Sequence, residues 1–336
     1  MLKKVFAVFL IILVSLSLTA GCGQQQPAPA PGSDEQKVEY PVKDIEVIVP
    51  FSAGGGSDTT ARLFSKILVD EEIVPVNINV INKPGGSAAI GMSYTAAKKG
   101  DPYYLMLITP SFLTTPLQGG VGVSYQDFTP IALLGFDDYF IVAKTGGDFN
   151  SLEDLLEAAQ ANPGGIRVGG ASKGSGDHIV IERLADKAGV KFNYVPFQGG
   201  SEIITAILGG HIEAGILNVS ETASFIEAGQ LAALVTPGEK RIDLFPDVPT
   251  LTEKGIDIEA AMPRGVVAPG DIPPEVTEFL GNAFKQVCET EAWQQEYVDK
   301  FLFTSNYKNP EETAEYFEET SAVFAEYLIK LGVINK

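Results

Sequence analysis

The chain has 336 residues, 45% hydrophobic and 20% charged, a composition that excludes wholesale disorder and, at roughly 150 residues per domain, suggests two domains. Its 24 Lys+Arg against 43 Asp+Glu leave a formal charge of −19, which argues against a nucleic-acid partner, because that affinity rests on cations neutralising phosphates. Two cysteines and two histidines supply neither a disulfide framework nor a metal cluster, so no metal and no cofactor are expected.

Lys3 and Lys4 precede an apolar run from Val5 to Leu18, which ends at Thr19-Ala20-Gly21-Cys22. A charged start, a short apolar stretch and small residues at a cleavage point predict a secretory signal peptide over 1–21. The run is too short for a transmembrane helix, which needs about 20 apolar residues. The small-small-Cys ending resembles a bacterial lipobox, with Thr19 where leucine is usual, and implies lipidation of Cys22. Residues 22–40, rich in Gln and Pro, have no apolar periodicity and read as an extended tether. The expected location is therefore extracytoplasmic, at a membrane surface.

From Ile45 a short β-branched run, a Gly/Ser/Pro-rich turn and a helical stretch alternate. Ile45 to Pro50 reads as a strand and Thr59 to Val69 as a helix with Ala61, Phe64, Ile67 and Leu68 on one face. Strands follow at Asn77 to Ile81 and Tyr104 to Ile108, with a helix to Lys98 between them. Ser151 is placed to cap a helix through Ala161, stopped by Asn162-Pro163-Gly164-Gly165. Strands at Ile166 to Val168, Phe192 to Val195 and Ala214 to Leu217 alternate with helices at Asp177 to Ala188 and Ser201 to Leu208. Helices from Pro274 towards Glu289 and from Pro310 to Leu331 close the chain. Such alternation predicts an α/β fold with mostly parallel sheets. Tyr139 to Ala143 and Gly265 to Ala268 are suited to carry the chain between two lobes, one built from 41–136 plus 262–336 and the other from 137–261.

Ligands of open α/β sheets bind beyond the carboxyl ends of the strands. Two turns stand there: Pro50-Phe51-Ser52-Ala53-Gly54-Gly55-Gly56-Ser57-Asp58 and Gly169-Gly170-Ala171-Ser172-Lys173-Gly174-Ser175-Gly176-Asp177. Glycines let backbone N–H groups converge, and a helix N-terminus adds donors and about half a positive charge. Asp58 and Asp177 are expected to cap their helices. Neither turn has the Walker A or the G-x-G-x-x-G pattern, so a carboxylate suits them better than a polyphosphate.

These turns, with Asn82-Lys83-Pro84-Gly85-Gly86, Tyr125-Gln126-Asp127-Phe128-Thr129-Pro130, Tyr194-Val195-Pro196-Phe197-Gln198-Gly199-Gly200, Leu208-Gly209-Gly210-His211 and Phe245-Pro246-Asp247-Val248-Pro249-Thr250, resemble the substrate-binding proteins of tripartite tricarboxylate transporters, the Bug family. The resemblance spans nearly all of Pro41 to Lys336. It implies a two-lobed periplasmic-binding-protein fold (type II) that captures a small organic carboxylate in its cleft and delivers it to a membrane permease, as a monomer and without covalent chemistry. Matched position by position, Phe51, Ala53, Gly54 and Ser57 form one jaw, and Ser172, Gly174, Ser175 and Asp177 the other. Thr109 and Ser111 match a hydroxyl-bearing turn, Asn218 a polar position near the cleft, and Phe197 a pocket wall. Lys173 departs from the family's small or apolar residue and is either a solvated loop lysine or a contact to a second carboxylate. Arg264 is either a further cation of the cleft or an interlobe structural partner.

Two other readings remain open in the sequence. One is a carboxylate-binding protein that feeds a sensor. The other is a serine hydrolase, since Gly170-Ala171-Ser172-Lys173-Gly174 spells G-x-S-x-G, although four residues intervene before the helix and no histidine lies on a late loop.

Overall fold

Strand residues here alternate between two apolar faces, as the two-residue period of a doubly covered sheet requires. Ile45, Val47 and Val49 enter one buried cluster while Ile48 enters another, and Leu105 and Leu107 part from Met106 and Ile108 in the same way. A computed structural model describes residues 39–197 and 199–335. The signal peptide, Cys22 and all but the last two residues of the tether lie outside the described residues.

The first lobe opens with β1 (Ile45–Val49), α1 (Gly56–Asp70), β2 (Ile78–Asn82), α2 (Ala89–Ala96), β3 (Tyr104–Ile108), α3 (Ser111–Leu117) and β4 (Phe128–Asp137). The second comprises β5 (Tyr139–Lys144), α4 (Leu152–Ala161), β6 (Arg167–Gly170), α5 (Gly176–Ala188), β7 (Asn193–Pro196), α6 (Gly200–Leu208), β8 (Ala214–Asn218), α7 (Val219–Glu227) and β9 (Leu231–Val235). The chain then returns to the first lobe through β10 (Met262–Pro269), α8 (Pro274–Glu289), α9 (Glu291–Trp293), β11 (Thr304–Lys308) and α10 (Pro310–Lys330). The strand orders are β11-β4-β10-β3-β1-β2 and β7-β6-β8-β5-β9. Ser151 caps α4 as expected, accepting the Asp154 N–H at 3.2 Å.

The sheets are mixed where the sequence reading has them mostly parallel. β1 is parallel to β2 and β3, and β6 to β7 and β8, whereas β5 and β10 run antiparallel to their neighbours. The reason lies in the crossings. β5 and β10 each enter their lobe from the cleft, the side that the carboxyl ends of the parallel strands face, so they must run the opposite way. The crossings themselves fall outside the expected segments: β5 lies wholly in the five-stranded sheet and β10 wholly in the six-stranded one, with Asp138 between β4 and β5 and residues 236–261 between β9 and β10.

Across the cleft, Ile179 of α5 is buried in the first lobe's cluster with Phe317, Phe324 and Leu328 of α10. Asp138 is 4% exposed, and its carboxylate accepts a hydrogen bond from Thr304 of β11. Burial pushes its pKa up to about 6; Asp137 and Glu239 act in the same direction, Thr304 and Lys240 against it. The folded chain therefore keeps a proton that the unfolded chain releases near pH ~3.9, and stability falls as pH rises between that value and 6. Asp138→Asn should remove roughly 2–3 kcal/mol of that fall. Urea unfolding at pH 4 and pH 7 measures it; an equal change in both proteins would refute it.

Candidate functional site

The loops that follow β1, β2, β3 and β6 all open on one cavity of about 540 Å³ between the lobes. This is where carboxyl ends of parallel strands and N-termini of their helices meet, so unsatisfied backbone donors collect there. Of the residues singled out in the sequence, Phe51, Ser57, Thr109, Ser111, Ser172, Lys173, Gly174, Ser175 and Asp177 line it. The hydroxyls of Thr109, Ser111 and Ser172 have no hydrogen-bond partner among the described residues. Neither do the N–H groups of Ser57, Lys173 and Gly176.

Four expected residues stand elsewhere. Ala53 and Gly54 are exposed at the tip of the first loop, outside the cavity wall. Phe197 turns into the second lobe and packs on its core, because Gly169 leaves room there; a Cβ on Gly169 would lie 3.1 Å from the Phe197 ring. Asn218 caps α7 in a box with Glu221 and donates to the Asp137 carbonyl at 3.3 Å.

The loop donors are also shared differently than expected. Asp58 and Asp177 are not the caps of their helices; Gly55 and Ser175 hold the cap positions. Instead both carboxylates fold back onto their loops. Asp58 accepts the Gly54 N–H at 2.9 Å, Arg62 Nε at 3.0 Å and Asn82 Nδ2 at 2.9 Å, and Arg62 is the main cause that lowers its pKa to about 2. Asn82 also donates to the Phe51 carbonyl, which ties the β2 end to the first jaw. Asp177 accepts the Ala171 N–H at 2.5 Å, the Tyr194 hydroxyl at 3.1 Å and the Ser175 hydroxyl. Ser175 and Asp177 therefore shape the loop rather than offer free groups to a guest. The second jaw still presents Ser172, Lys173 and the first N–H of α5.

The sequence reading missed Gly86, Ser87, Thr114, Thr115, Gln118 and Tyr139. Gly86 and Ser87 were signalled by the same rule, since their turn follows β2. Ser87 is held at φ +50°, with its carbonyl accepting from Thr115 Oγ1 at 2.6 Å. Thr114, Thr115 and Gln118 lie on or next to α3, a seven-residue helix containing Pro116 that leaves no periodic signal.

Charges on the wall differ in their commitments. Arg264 is 7% exposed, with Nη2 2.8 Å from Asp137 and Nη1 donating to Ser57 Oγ at 3.1 Å. Lys173 is exposed and has no ion-pair partner among the described residues. Among the described residues no hydrogen bond links Ser172 Oγ to a base: His178 Nδ1 accepts the Gly174 N–H, and its Nε2 lies 3.6 Å from Glu182. Among the described residues, no group of three or more His, Cys, Asp or Glu is placed to hold a metal ion.

Residues 65–332 match the family described as TctC, tripartite tricarboxylate transporter family receptor. A Cupriavidus necator protein, the UPF0065 protein in the gbd 5' region, is 30% identical over 306 residues, covering 89% of this chain and 90% of that one. A TctC solute-binding protein from Polaromonas, solved with no ligand, is 33% identical, with a TM-score of 0.79 over 87% of this chain and 99% of its own. An R. palustris protein solved with adipate shares the fold at 22% identity and a TM-score of 0.72, over 88% and 99% of the two chains.

Proposed function

The chain belongs to the tripartite tricarboxylate transporter receptor family, and on that premise we propose that it captures a small organic carboxylate between its lobes and delivers it to the transporter's membrane permease. The protein acts outside the cytoplasm as a monomer, anchored through a lipidated Cys22, and performs no covalent chemistry. One observation carries the reading: the cavity wall offers hydroxyl and backbone donors without acceptors, and a lysine without an anion, among the described residues. A carboxylate completes both, since hydrogen bonds to an ionised oxygen are the strong ones.

The adipate of the R. palustris relative supplies a probe. Adipate should raise the melting temperature of the chain from residue 23 onward as its free concentration passes the dissociation constant. A shift with sugars or amines, and none with carboxylates, would overturn the ligand class. Lys173→Gln should weaken adipate roughly tenfold and leave hexanoate, with one carboxylate, almost unaffected. Equal losses for both would place Lys173 away from a second carboxylate.

A further inference from the structure

The two jaws are built alike at one point. In each, the third residue of the helix reaches back four positions and takes the N–H of a left-handed glycine just before the cap. Asp58 Oδ2 holds Gly54 (φ +83°) and His178 Nδ1 holds Gly174 (φ +79°), both at 2.9 Å. The acceptors differ in kind. Asp58 stays an anion down to about pH 2. An imidazole nitrogen accepts an N–H only while it carries no proton itself.

Gly174 is tied on every side. Its carbonyl accepts from Gln118 Nε2 of the other lobe at 3.3 Å, and a Cβ there would lie 3.0 Å from Leu328 of α10. His178 is 3% exposed and stacks on Tyr194 at 3.8 Å, and the Tyr194 hydroxyl bonds the Ala171 carbonyl and Asp177. We infer that His178 is a positioning residue that holds the second jaw in its ligand-ready shape only while neutral, so that a proton on Nδ1 frees the Gly174 N–H, loosens the Gln118 contact between the lobes and weakens ligand capture. The titratable and charged groups around it are Asp177 and Glu182 on its own helix, Tyr194 of β7 and Lys173 in the loop. The residues that reach the loop from the other lobe, Gln118 and Leu328, are neutral.

The inference rests on the carboxylate reading for its consequence, but its first test needs no ligand. Amide exchange and imidazole nitrogen shifts are followed by NMR on the ligand-free protein at pH 8 and pH 5.5. At pH 8 the proton should sit on Nε2 and the Gly174 amide should be protected. Acidification should cut that protection about tenfold while Gly54, held by Asp58, keeps its own. His178→Gln, whose amide oxygen accepts at any pH, should hold Gly174 protection constant, and His178→Leu should lose it at both. Adipate affinity should then fall roughly tenfold between pH 8 and 5.5 in the natural protein and stay level in His178→Gln. Gly174 protection that ignores the titration of His178, or the same loss of affinity in His178→Gln, would overturn the inference. Should adipate bind at neither pH, the ligand reading falls, while the exchange experiment still decides the role of His178.

Discussion

Arg264→Met should lower the unfolding free energy by about 3 kcal/mol, with Asp137→Asn in the same chain restoring most of it. The guanidinium lies at the start of β10, where the chain re-enters the first lobe, and bridges Asp137 at the end of β4 to Ser57 in the first turn of α1. It is not there because the position favours a cation. A Cβ on Gly56 would lie 3.4 Å from Nη2, so the charge stands beside a helix N-terminus, which opposes it by up to about 1 kcal/mol. Its Nε is buried without a hydrogen-bond partner among the described residues. Asp137 is what makes the arrangement tenable, and the Asp137 side chain is itself only 14% exposed. Truncating the arginine therefore leaves a nearly buried carboxylate beside Asp138 with no counter-charge, the costly half of a broken buried pair. The low end of the usual range is expected because the pair borders an open cleft. Urea unfolding of both single variants and the double variant measures it. A stable Arg264→Met, or a double variant no better than the single, would show that the pair does not hold the crossing.

Gly135→Ala should cost about 4 kcal/mol and act on the same strands. Gly135 opposes Arg264 where β4 and β10 slip register, and has a φ of +148°. A Cβ there would come within 2.2 Å of the Thr304 carbonyl oxygen and 2.9 Å of the Asn306 nitrogen. Both are backbone atoms of β11, which cannot rotate aside as a side chain would, so β4 and β11 must part. Gly146 is the control: its φ of +68° is also left-handed, but nothing lies within 4 Å of its Cβ position. Gly146→Ala should cost about 1 kcal/mol, the strain alone. Thermal or urea unfolding that ranks the two variants equally would mean that the edge strand yields more easily than its geometry implies.

β4 also shows why some elements are legible and others are not. Its sequence carries Pro130 and Gly135, both breakers, yet it lies between β10 and β11 in the six-stranded sheet. Pro130 is tolerated because the register slips beside its partner Val267, where a ladder bond is already lost. β11, Thr304-Ser305-Asn306-Tyr307-Lys308, has no apolar alternation and is ordered by its pairing with β4. By contrast β1, β3, β6 and β8 keep their apolar runs and their turns, and each was read to within a residue or two.

The amino-acid sequence by itself determined the parallel strands, the helices between them and the loops at the strand ends, because side-chain periodicity and turn chemistry act within a few residues. Part of the cavity wall lies on those loops, including Ser57, Thr109, Ser111, Ser172 and Lys173. Tertiary structure alone decided which donors remain free. Gly54, Ala171 and Gly174 lose their N–H groups to Asp58, Asp177 and His178, Phe197 turns into the core, and the Arg264 guanidinium reaches Ser57, 207 residues away in the chain, and Asp137, 127 residues away. Such pairings depend on how two sheets meet across a crossing, and no local pattern encodes the distance between them.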